Sequence, residues 1–114
     1  MRYVDVEKVI KSPSALTQEQ GNLIYNKICD AFDNHEEIEL DFENVESMIS
    51  PFLNNSIGKL YGKYDSDQIR KFLHMKNFPA EKNSTLNVVI GNAKRFYADK
   101  SNYTKVVKEV IDNE

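Results

Sequence analysis

From Glu37 to Phe42 acidic and apolar residues alternate without a break: Glu37, Glu39 and Asp41 against Ile38, Leu40 and Phe42. A period of two puts three apolar side chains on one face of a strand and three carboxylates on the other. Such a strand needs neighbouring strands and a hydrophobic layer against one face, with the acidic face not fully covered by helices.

The flanking segments read as helices that supply the layer. Between Thr17 and about Asn34, Leu23, Ile24, Ile28, Ala31 and Phe32 fall on one helical stripe. Thr17 is a candidate N-cap with Gln20 as its capping-box partner. Gly21 lowers helix propensity by ~1 kcal/mol relative to Ala, a loss that close packing would justify. Ser50-Pro51 opens a second helix, with Ser50 as expected N-cap, Pro51 at the first helical position and an apolar face running to about Tyr64. A third helix is expected from Ser84, with Phe96 and Tyr97 on its core stripe, a break at Asp99–Asn102, and a short amphipathic helix from Tyr103 to Ile111.

Two further strands are expected. Residues 3–10 are rich in β-branched side chains and read as a strand near an edge, ended by Ser12-Pro13-Ser14. Residues 69–78 suit either strand or helix; a helical turn near Asp67–Arg70 leading into a strand is the preferred reading. The order is then strand, helix, strand, helix, strand, helix, helix. Helical crossovers between strands favour a parallel or mixed α/β sheet.

The 114 residues suffice for one domain, expected to span 1–114. Lys plus Arg is 15 and Asp plus Glu is 18, so 15 − 18 gives −3, the wrong sign for a typical nucleic-acid binder. No apolar run approaches the roughly 20 residues of a membrane span, and the charged N-terminus is unlike a signal peptide. The expected compartment is the cytoplasm. One cysteine, Cys29, allows neither an internal disulfide nor a cysteine-based zinc site and reads as a buried structural thiol. His35 and His74 stand apart, and no phosphate loop, dinucleotide fingerprint or nucleophile elbow is present. No metal, cofactor or catalytic residue is expected, and Gly58 and Gly62 read as close-packing positions.

The stretch Ile38-Glu39-Leu40-Asp41-Phe42-Glu43-Asn44-Val45-Glu46-Ser47-Met48-Ile49-Ser50-Pro51-Phe52-Leu53 resembles the STAS-like domain of unknown function, a family related to the bacterial anti-sigma factor antagonists. The resemblance implies a four-stranded (three to four) mixed sheet with amphipathic helices mainly on one face. It also implies a non-enzymatic regulatory domain that docks a protein, such as a histidine-kinase-like ATPase or another regulator. Ser50 occupies the place of the serine that such a kinase phosphorylates in antagonists, with Ser47 a weaker alternative. Ile49, Pro51 and Phe52 stand where antagonists carry Asp, Ser and Gly, which fits the STAS-like branch. The expected docking residues are Glu46, Ser47, Ser50, Asn54, Asn55 and Lys59, on a chain expected to be a monomer or weak homodimer. The other reading is a small-ligand or nucleotide-binding sensor, with its crevice at the ends of the parallel strands near residues 43–50.

Overall fold

The computed structural model describes the backbone of residues 1–112 and the side chains of residues 1–98. The strands are β1 (Arg2–Asp5), β2 (Ser14–Ala15), β3 (Ile38–Asp41), β4 (Ser47–Met48) and β5 (Leu73–Lys76). The helices are α1 (Val6–Ile10), α2 (Gln18–Asp33), α3 (Ser50–Ser56), α4 (Ser66–Phe72) and α5 (Asn83–Asp112), with 3-10 helices at Gly58–Gly62 and Ala80–Lys82.

The alternating segment is the central strand. β1, β3 and β5 form a three-stranded sheet in that order, and both pairings are parallel. β2 and β4 make a separate two-stranded parallel sheet. Among the described residues the main sheet thus has three of the expected three to four strands, and the expected mixed pairing is corrected to parallel pairing throughout. The reason is connectivity: helices carry the chain from β1 to β3 and from β3 to β5, and such crossovers return it in the same direction.

The register sets two faces. Val4 pairs with Leu40, and Leu40 with Met75, on the packed face. Tyr3, Glu39 and His74 form a row on the other face, followed by Asp5, Asp41 and Lys76. Tyr3 is 73% exposed, so this face is open to solvent, as the acidic alternation of β3 foretells. The core joins the packed face to α2 and α3 through Ile24, Ile28, Phe32, Ile38, Leu40, Phe52 and Leu53.

α2 forms where its caps and period place it. The Thr17 hydroxyl accepts the Gln20 N–H at 3.1 Å, and Gln20 Oε1 accepts the Thr17 N–H at 3.1 Å, closing the capping box. Leu23, expected on the core stripe, is exposed.

The segment 3–10 is half strand and half helix. The Asp5 carboxylate accepts the Lys8 N–H at 3.3 Å, starting α1, and the i, i+4 pair Val6 and Ile10 goes into the core. Burial of that pair overrides the β preference of the valines. The helix expected to run to Tyr64 tightens after Ile57 into the 3-10 helix, whose Gly58 is buried and would place a β-carbon in ordinary contact with Val89 and Ala93.

The segment 66–76 is α4 followed by β5, so the preferred reading of a helical turn into a strand is correct in order and short on the helix. α5 starts at Asn83, directly after a 3-10 turn, so Ser84 is inside the helix and does not cap it. The expected break at Asp99–Asn102 is absent: α5 is one helix. Those residues include neither Gly nor Pro, and their propensity penalties of up to ~0.7 kcal/mol each do not stop a helix. The side chains of the expected stripe Tyr103–Ile111 lie outside the described residues.

Candidate functional site

The loop between β3 and α3 is pinned by backbone bonds to the segment before α2. Pro13 O accepts the N–H groups of Glu46 and Ser47 at 2.7 and 3.2 Å, and Ala15 O accepts that of Ile49 at 3.1 Å. The loop is thus held by its main chain, leaving the side chains of Glu46, Ser47 and Ser50 exposed. Val45 and Met48 point inward and anchor it.

Ser50 is not the N-cap. Ile49 is, with an extended backbone, and it has no side-chain bond to the first turn; Ser50 and Pro51 are the first two helical residues. The start lies one residue earlier than expected because Ile49 O accepts the Leu53 N–H at 3.3 Å. Pro51 still fits, since the second helical N–H has no partner inside the helix either. A testable consequence is that Ser50→Ala should change stability by less than ~0.5 kcal/mol, as a typical exposed substitution does. Loss of a real serine cap would lower it by ~1 kcal/mol in chemical denaturation.

Asn54 is exposed one turn after Ser50, so the two share a face of α3. Asn55 and Lys59 sit elsewhere. Asn22 of α2 accepts from Asn55 Nδ2 at 3.2 Å and from Lys59 Nζ at 2.7 Å, and the same ammonium lies 4.3 Å from the Tyr25 ring centroid. These two expected docking residues therefore tie α2 to α3 and to the 3-10 helix that follows it, while Glu46, Ser47, Ser50 and Asn54 form an outward patch. Between α3, the 3-10 helix and α5 runs a groove of about 250 Å³ whose walls include Asn54, Asn55, Lys59, Asn92 and Phe96.

Two residues escaped the sequence reading. Ile49 is 43% exposed beside Ser50 and offers an apolar contact. Phe96, expected in the core, is 60% exposed, its ring edge-on to Tyr97 at 5.0 Å. The inward neighbour Tyr97 takes the packing position, because the missing side chain of Gly62 leaves room for its ring. Helical period alone did not decide which of two adjacent aromatics turns inward.

Cys29 is buried, as expected. Burial first, then the neighbouring Cys29 thiol, pushes the Tyr25 hydroxyl up to about 12. Burial, then the Asp33 carboxylate that accepts its hydrogen bond at 2.8 Å, raises that of Tyr64 as well. At the C-terminal ends of the strands, Asn77 Nδ2 donates to Asp41 at 3.0 Å and, with the Glu43 N–H, holds the Asp41 carboxyl below its usual range. The stability this adds is full above the ordinary carboxylate pKa and is lost as pH falls through the lowered one. His74 contacts Glu37 at 2.7 Å on the open sheet face, and His35 lies in the turn after α2. Among the described residues no three His, Cys, Asp or Glu side chains converge as a metal-binding group, and no helix is long and apolar enough to cross a membrane.

The pinned loop and α3 fall within the region that compares with known proteins. No curated protein and no solved structure matches the chain. A family model described as the STAS-like domain of unknown function (DUF4325) matches residues 20–81, from the first turn of α2 into the second 3-10 helix. With more than half of its residues matched, and with a mixed helix-and-strand architecture around a parallel sheet, the chain belongs to the STAS-like domain family.

Proposed function

We propose that this protein is a non-enzymatic regulatory domain that docks a protein partner through the loop 43–50 and the outer face of α3. Ser50 is the position at which phosphorylation switches the contact. The observation that carries this reading is the exposed patch Glu46, Ser47, Ile49, Ser50 and Asn54 on a backbone tied down at both ends. A pre-ordered surface loses less conformational entropy on binding than a loose loop. Ile49 supplies an apolar anchor, and the hydroxyls and carboxamide supply hydrogen bonds around it. A phosphate on Ser50 would add nearly two negative charges to a patch that already carries Glu46, favouring a basic partner and repelling an acidic one.

The strand ends support a nucleotide site less well. Asp5 and Asp41 flank that crevice, and their carboxylates repel a polyphosphate, with only Lys76 in the same row to oppose them.

The test is recovery of one identified partner by immobilised variants. Ser50→Asp should alter recovery at least about fivefold relative to Ser50→Ala, a shift of ~1 kcal/mol. Ile49→Asp should abolish it, and Tyr3→Ala on the open sheet face should leave it intact. Equal recovery by the two Ser50 variants removes the switch. Loss with Tyr3→Ala and retention with Ile49→Asp moves docking to the sheet.

A further inference from the structure

A second concave site lies where α4 and β5 meet α5 and the first 3-10 helix. Its volume is about 280 Å³. The floor is apolar: Ile57 and Ile69 are buried, and Leu73, Met75 and Ile90 are half-buried around them. These last three pack against the core on one side and leave apolar surface uncovered on the other. The rim is cationic. Arg70 and Lys94 are exposed and line the same slot from opposite elements, α4 and α5. Among the described residues no acidic side chain lines it, although the whole chain carries a net charge of −3. Lys94 lies 5.8 Å from the centroid of the Tyr61 ring, which forms one wall. Arg70 pairs with Asp67, but both side chains are well exposed, so that pair holds the guanidinium only weakly.

An apolar floor under two cations selects a ligand with a hydrocarbon body and an anionic head. The slot is smaller than the ~300 Å³ at which pockets for drug-sized molecules begin, so the ligand is small. We propose that this slot binds a small carboxylate with an apolar body, the carboxylate held between Arg70 and Lys94 and the hydrocarbon laid on Ile57, Ile69, Leu73, Met75 and Ile90. The site is separate from the α3 docking patch, and its ligand would add a second input to the domain. A guanidinium and an ammonium converging on one carboxylate form charge-assisted bonds, roughly twice as strong as neutral ones. Apolar contacts alone would not distinguish the sign of the head group.

The test uses three probes that share one eight-carbon chain: octanoate, octylamine and octanol, below their self-association limits. Octanoate should bind saturably and shift the backbone amide resonances of Leu73, Met75 and Ile90. Octylamine and octanol should bind at least about tenfold more weakly. Arg70→Gln and Lys94→Gln, both at exposed positions, should each weaken octanoate at least about fivefold while leaving the circular dichroism spectrum unchanged. Raised salt should weaken octanoate and leave octanol unaffected. Equal binding of octylamine and octanoate, full affinity in both glutamine variants, or shifts centred away from β5 and α5 would each overturn the proposal.

Discussion

Gly21→Ala should lower stability by about 2 kcal/mol, although alanine is the better helix former by ~1 kcal/mol. A β-carbon at this position would sit 2.6 Å from the carbonyl oxygen of Phe52 and 2.9 Å from the β-carbon of Asn55. The first is a backbone atom of α3 and has no rotamer to escape into, so the helices must separate. Separation would strain the Phe52 and Leu53 packing and the Asn22–Asn55 and Asn22–Lys59 bonds that join α2 to α3 and to the 3-10 helix after it. Gly58→Ala provides the contrast. Its β-carbon would lie 3.5 Å from Val89 Cγ1 and 3.7 Å from Asn54 Oδ1, which is ordinary contact. That substitution should be neutral or stabilise by ~0.5 kcal/mol through the unfolded chain. Urea unfolding of the two variants measures both. Equal stability of Gly21→Ala and wild type would show that α2 and α3 are not in the close contact described. Because α3 carries Ser50 and Asn54, Gly21→Ala should also shift the amide resonances of the docking patch.

Phe32→Ala should be more damaging, by about 3–5 kcal/mol. Phe32 is 2% exposed and lies edge-on to Tyr64 at 4.9 Å and tilted to Phe72 at 6.1 Å. Its ring joins α2 to the segment after the first 3-10 helix and to the end of α4, and these surroundings cannot all collapse into the cavity. Small domains are stable by only about 5–15 kcal/mol, so a substantial unfolded population at room temperature is the expected result. Phe96→Ala, at a position equally apolar in sequence, should change stability by less than ~0.5 kcal/mol because that ring is largely in water already. Thermal unfolding by circular dichroism separates the two outcomes; a Phe96→Ala loss close to that of Phe32→Ala would place the Phe96 ring in the core after all.

These substitutions also mark where sequence reading succeeds. The buried positions of α2 and the alternation of β3 are written in neighbouring residues: the Thr17–Gln20 box, the 3.6-residue period through Phe32, and the two-residue period from Ile38 to Phe42. The candidate loop was readable for the same reason, since it follows the clearest strand and precedes a Ser-Pro helix start. Its division was not. Nothing local tells Asn54, which faces outward, from Asn55, which Asn22 claims from 33 residues away.

The amino-acid sequence thus determined the Thr17 cap of α2, the open acidic face of β3 and the alternation of the three main strands with helices, because each rests on interactions spanning a few residues. Tertiary structure alone decided that Ser14–Ala15 pairs with Ser47–Met48, that Val6–Ile10 coils instead of extending, and that Tyr97 turns inward while Phe96 does not. Two-residue strands have no periodicity to reveal them. Their hydrogen bonds, like the space opposite Gly62, exist only once distant parts of the chain have met.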